Sequence, residues 1–118
     1  MGNKLTKKTS SSSYYLVQHS FATSGEVDTY WDQEHLVINQ AAAKSWLQDG
    51  FKSHLSVASG RDGPVFCIWE VREGISAEQF KLFIDGVFGK WFVNHVTELS
   101  TVEGSESFKR MPFKDVFA

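Results

Sequence analysis

Val65-Phe66-Cys67-Ile68-Trp69 does not alternate between apolar and polar residues. A strand wetted on one side alternates, whereas a strand buried on both sides reads as a continuous apolar run. The stretch therefore reads as a strand, extending to Val71, with both faces covered. Just before it, Gly60-Arg61-Asp62-Gly63-Pro64 is a dense turn signal. Ser53–Ser59 precedes that turn, and the two segments form a hairpin with a five-residue loop.

Working outward, Tyr14-Tyr15-Leu16-Val17 opens a second strand, Tyr14 to Phe21, that is again apolar on both sides. Ser24 and Gly25 break it. From Glu26 to Asp49 the period becomes helical, with Val27, Tyr30, Trp31, Ile38, Ala41, Ala42 and Trp46 near one face. Glu26, Asp28, Asp32 and Glu34 load the first half with negative charge, which the helix dipole favours. Gly50 is placed to end the helix. The apolar phase drifts near Leu36–Val37, so the helix kinks or splits there.

Beyond the hairpin, Ser76 and Gln79 have the spacing of a capping box, and Ile75 and Phe80 that of a hydrophobic staple. Phe80, Phe83, Ile84, Val87 and Phe88 then share one helical face, closed by Gly89. Phe92 to Val102 reads as the last strand, bounded by Gly104. The order is β-α-β-β-α-β, the split βαβ or ferredoxin-like arrangement. It predicts an α+β fold with a four-stranded antiparallel sheet and two helices on one face.

Three regions follow. Residues 1–13 are a basic, Ser-rich leader too polar to bury, residues 14–104 the folded domain, and 105–118 a tail. The tail carries Phe108, Met111, Pro112, Phe113, Val116 and Phe117 and is expected to dock on the domain or on a dimer partner. The leader begins Met1-Gly2-Asn3-Lys4-Leu5-Thr6, which fits the N-myristoylation pattern at Gly2. Lys4, Lys7 and Lys8 would supply the basic second signal for a membrane surface. A plain flexible leader accounts for the same residues.

The whole chain of 118 residues has a formal net charge of −2, but its basic leader leaves a mildly acidic body. A nucleic-acid binder needs a basic face, so none is expected. Cys67 is the single cysteine, which excludes an internal disulfide and fits a reducing, cytoplasmic setting. No run approaches the length of a membrane-spanning helix.

The helix-free face of the sheet, being apolar, needs a cover. Here the chain resembles the dimeric α+β barrel superfamily over roughly residues 14–103, in element order and in its two-sided strands. That superfamily includes cofactor-free monooxygenases, haem-degrading enzymes, lactone isomerases and stress-response proteins. The resemblance implies a homodimer packed sheet to sheet. It transfers no catalytic residue, because no set is shared across those members and a fold does not imply a function.

Four histidines are available: His19, His35, His54 and His95. His19 and His95 fall on neighbouring strands. With Tyr15 and Trp69 they are the candidate lining of an aromatic pocket for a small apolar ligand, held between sheet and partner. Asp28, Asp32 and His35 lie on one helix face, but a solvated acidic face is the preferred reading, and no metal or cofactor is expected. Glu70 is either a buried acid–base group or, preferred, a strand-end carboxylate in water beside Arg72. Cys67 reads as an inert buried thiol. No phosphate-binding glycine loop or nucleophile motif is present. The sequence leaves open whether the protein is an enzyme. Its alternatives to ligand binding are a membrane-anchored adaptor and a protein-interaction domain.

Overall fold

The computed structural model describes residues 12–32, 35–99 and 116–117, with the backbone alone at 35–40. Strand β1 is Ser13–Phe21, followed by helices α1, Gly25–Asp32, and α2, His35–Asp49. The hairpin strands are β2, Phe51–Ala58, and β3, Val65–Val71; helix α3 is Ala77–Phe88 and strand β4 is Phe92–Leu99. The four strands form one antiparallel sheet in the order β2-β3-β1-β4. The fold is thus α+β, with β1 and β3 central. Gly2 and the rest of residues 1–11 lie outside the described residues, as do 100–115.

Register decides what each face carries. Tyr15 lies opposite Trp69, Val17 opposite Cys67 and His19 opposite Val65, while Val17 and His19 also meet Val96 and Asn94 of β4. These residues share one face, and the helices pack on it. Tyr30 of α1 reaches Phe92, Trp46 of α2 reaches Trp69, and Phe80 of α3 stacks on Tyr15 at 4.7 Å between ring centroids. Phe51 and Phe83 stack nearly parallel at 4.0 Å. Rings dominate this core because each removes a large apolar area from water and tolerates offset or edge-on neighbours.

The helical stretch expected over 26–49, with a kink or split near Leu36–Val37, is described as two helices, Gly25–Asp32 and His35–Asp49, with residues 33 and 34 between them outside the described residues. Tyr30 of the first and Trp46 of the second both face the sheet. The described residues thus hold three helices.

The signals bounding the other elements act as their chemistry requires. Ser76 Oγ accepts from the Gln79 amide at 3.1 Å, and the Gln79 side chain accepts from the Ser76 amide at 2.7 Å. Both would otherwise be orphan donors at the start of α3. Gly50 turns the chain from α2 into β2 with φ of 104°, and a Cβ there would stand 2.6 Å from the Ile75 side chain. Only glycine fits both the backbone conformation and the space.

The opposite face carries Tyr14, Leu16, Gln18, Phe66, Ile68 and Glu70. Toward the sheet's edges, Leu55, Val57 and Val93 are exposed.

Candidate functional site

A cavity of about 290 Å³ lies between the helices and the sheet. Among the described residues, Tyr30, Trp46, Trp69, Phe88 and Phe92 give it an aromatic wall, closed by Val65. His19, Ser53, Ser56 and Cys67 contribute polar atoms, and Ala43 of α2 lines it while remaining exposed, which puts the mouth at α2. No carboxylate, ammonium or guanidinium group is among the described lining residues.

His19 is the most constrained of them. It is 1% exposed, and its ring lies between those of Phe88 and Phe92, at 4.9 and 5.0 Å. Its Nδ1 sits 2.5 Å from Asn94 Oδ1, the Asn94 amide nitrogen donates to Asp85 Oδ1 at 3.0 Å, and Lys81 Nζ holds the other Asp85 oxygen at 2.5 Å. This chain fixes the protons. Asp85 is kept ionised: burial pushes its carboxyl upward, but Lys81 and Asn94 outweigh that and hold it below its ordinary value. An ionised Asp85 accepts from the Asn94 NH₂, which turns the Asn94 oxygen to His19, so His19 Nδ1 must donate. The tautomer is thereby assigned from the network. Burial lowers the His19 pKa, with Asn94 opposing it in part, so the ring is neutral near pH 7. Its Nε2 then carries a lone pair.

That lone pair has no hydrogen-bond partner among the described residues, and the Trp69 indole N–H has none that meets hydrogen-bond geometry, its one polar neighbour being the soft sulfur of Cys67, a weak acceptor. Buried polar groups are ordinarily satisfied, and each exception calls for an explanation. Both exceptions belong to residues that line one cavity, one an acceptor and one a donor, each set just behind its surface. Cys67 is a poor nucleophile in this setting: burial pushes its thiol upward, which Ser56 Oγ at 3.2 Å and the Trp69 indole N–H only partly offset.

The four residues expected to line a pocket together are divided. His19 and Trp69 line the cavity, and Tyr15 packs beside it on Phe80 without lining it. His95 pairs with Gln18 on the other face of the sheet and is exposed. Adjacent strands do not guarantee a shared face, since register sets the side. The cavity accordingly lies under the helices and not on the helix-free face. Asn94 and Asp85 were not singled out by the sequence. Asn94 was detectable in principle, because it falls in phase with Phe92 and Val96 on an otherwise apolar face.

Glu70 corrects the expectation of a solvated strand-end carboxylate. It is fully buried on the helix-free face. Ser12 Oγ donates to it at 2.6 Å, His54 Nε2 lies at 2.8 Å, and the Val116 and Phe117 amides donate at 3.0 Å each. Arg72 does not pair with it; its guanidinium instead lies 5.2 Å from the Phe117 ring centre. Burial pushes the Glu70 carboxyl upward, but the donors from Ser12, Val116, His54 and Phe117 together bring it below its usual value. It is a stable anion and therefore a weak general base. Arg61 bridges Asp28 and Asp32 of α1 at 2.7 and 3.8 Å. Among the described residues, no group of three or more His, Cys, Asp or Glu could hold a metal ion.

Fold and site together define an α+β protein with a cavity of ligand size and an aromatic lining. The chain belongs to the family described as a domain of unknown function, DUF8652, which it matches over residues 14–105. No curated protein and no solved structure matches it. Among the described residues, no helix is long and apolar enough to cross a membrane.

Proposed function

We propose that the protein binds a small, neutral, ring-containing molecule in the cavity between its sheet and helices. The observation that carries this is an aromatic-lined cavity two of whose lining residues, His19 and Trp69, each hold a buried polar atom that makes no well-formed hydrogen bond, His19 Nε2 and Trp69 Nε1. Ligand sites are typically concave and apolar with a few convergent polar groups. An apolar cavity of about 150 Å³ takes benzene, so about 290 Å³ suits a two-ring compound.

Naphthalene is the simplest probe. Trp46 and Trp69 both line the cavity, so a saturable change in tryptophan emission is the expected result. Ala43→Phe, placed at the mouth where it is tolerated, weakens that response at least tenfold. Absence of any saturable response to neutral two-ring compounds would sink the binding reading.

The quaternary part of the proposal is a homodimer joined through helix-free faces, within the ferredoxin-like, dimeric α+β barrel reading of the element order. Leu55 and Val57 support it: next to each other on one side of the β2 edge strand, they are 43% and 49% exposed on that face, and adjacent exposed apolar groups mark interaction surfaces. Light scattering after size exclusion is expected to give twice the chain mass of 13.3 kDa. A monomer at micromolar concentration removes the dimer and leaves the cavity untouched.

A further inference from the structure

Resting on the cavity-binding reading, the chemistry of the ligand can be taken one step further. We propose that the site recognises a phenolic or enolic hydroxyl on a neutral ring compound: His19 Nε2 accepts the hydroxyl proton, and the Trp69 indole N–H donates to an oxygen of the same ligand.

The polarity of the two groups selects this class. His19 Nδ1 is committed to Asn94, whose amide is oriented by Asp85 and Lys81, so Nε2 can only accept. An ether, a ketone or a plain hydrocarbon offers it nothing. Trp69 Nε1 can only donate, so the ligand must also present a lone pair, which a hydroxyl oxygen or a neighbouring carbonyl supplies. An anion is disfavoured: its described surroundings lack a countercharge, and an unpaired charge is costly to desolvate. A neutral O–H meets both needs without a net charge. Aromatic carbon fills the rest, against Tyr30, Trp46, Phe88 and Phe92.

The network behind His19 gives the site its selectivity. A free imidazole exchanges its proton between two nitrogens and would serve acceptor and donor ligands alike. Asn94 removes that freedom. It is a positioning residue: it sets which nitrogen faces the ligand and stands behind the ring, at its Nδ1 side.

Three probes separate the possibilities: naphthalene, 2-methoxynaphthalene and 2-naphthol, with affinities measured by calorimetry at pH 7.5. 2-Naphthol is expected to bind at least tenfold tighter than 2-methoxynaphthalene, which matches it in rings and oxygen but has no proton to give. His19→Leu brings that ratio to about one while retaining naphthalene. Asn94→Val frees the tautomer, so Nε2–H becomes available and 2-methoxynaphthalene gains relative to 2-naphthol; a purely structural role for Asn94 would weaken both equally. If His19→Leu does not fold, Trp69→Phe reports instead, costing both oxygenated probes affinity and sparing naphthalene. Equal binding of all three overturns the hydroxyl inference and leaves the cavity reading standing. Binding of none overturns both, naphthalene alone being sufficient to show it.

Discussion

Replacing Glu70 with alanine is expected to cost about 3–5 kcal/mol of folding stability, the range for removing one partner from a buried charged network. The loss exceeds that of a single contact because the carboxylate is shared. Ser12 before β1, His54 on β2, and Val116 and Phe117 near the end of the chain all converge on its two oxygens. Alanine leaves these donors without their acceptor, and an unsatisfied buried donor costs about 1–3 kcal/mol. Ser12, Val116 and Phe117, which lie outside the described helices and strands, can recover water by moving away; His54, whose side chain is 8% exposed, recovers less. Glu70→Gln keeps the shape and one acceptor oxygen but points an NH₂ at groups that donate, so it falls between. Urea midpoints for the three proteins provide the measurement. A shift for Glu70→Ala under about 1 kcal/mol, the size of an exposed ion pair, would mean that the carboxylate is solvated and the end of the chain not seated on it.

The same carboxylate shapes the pH dependence of stability. Its folded pKa lies below the ordinary 4.5, because its donors outweigh the cost of burial. The unfolded chain therefore binds the extra proton first as pH falls. The contribution of Glu70 is complete above about 4.5 and is lost as pH falls through the lower folded value. His19 acts in the same direction at higher pH. Its folded pKa is depressed below 6.5 by burial, so stability begins to fall below about 6.5 as the unfolded histidine takes its proton. A stability profile against pH should descend in two stages; Asp85, held down by Lys81 and Asn94, shares the lower one, so Glu70→Gln should shrink the lower stage and leave the upper one unchanged.

What the sequence disclosed depended on how far away a residue's determinants lie. The strand Val65–Val71 and the capping box at Ser76 and Gln79 were readable because neighbours within a few positions determine them. Glu70 was misread for the opposite reason. Its donors come from Ser12, 58 positions earlier, and from Val116, 46 positions later, and no local pattern announces them. His95 shows a second limit: neighbouring strands were inferred, but not the register that turns its side chain away from His19. The Lys81–Asp85–Asn94–His19 chain joins a helix to two strands, and it became evident only once the sheet pairing placed Asn94 opposite His19.

Phe80→Ala is the second large effect, again about 3–5 kcal/mol, by a different mechanism. Phe80 is fully buried at the first turn of α3. Its ring meets Tyr15 at 4.7 Å, Phe51 and Trp69 at 5.9 Å, and Phe83 at 6.3 Å. It thus joins β1, β2, β3 and its own helix through one side chain. Truncation forfeits the transfer energy of the ring and leaves a void that four rigid aromatic neighbours cannot close without leaving their own packing. Against a total stability of about 5–15 kcal/mol for a domain, the variant should have a markedly lower urea midpoint and, near body temperature, a measurable unfolded fraction. Leu82 on the same helix is the control: it is 73% exposed, and its replacement by alanine should stay within about 0.5 kcal/mol. Equal effects at the two positions would contradict the packing described for α3. The consequence extends to the cavity, because the ring that Phe80 supports is that of Trp69. Even where Phe80→Ala remains folded at low temperature, the indole loses its backing and its N–H loses a fixed direction. Affinity for an oxygen-bearing ligand should then fall more than affinity for naphthalene, so that a stability defect in the core is read out as a selectivity defect at the site.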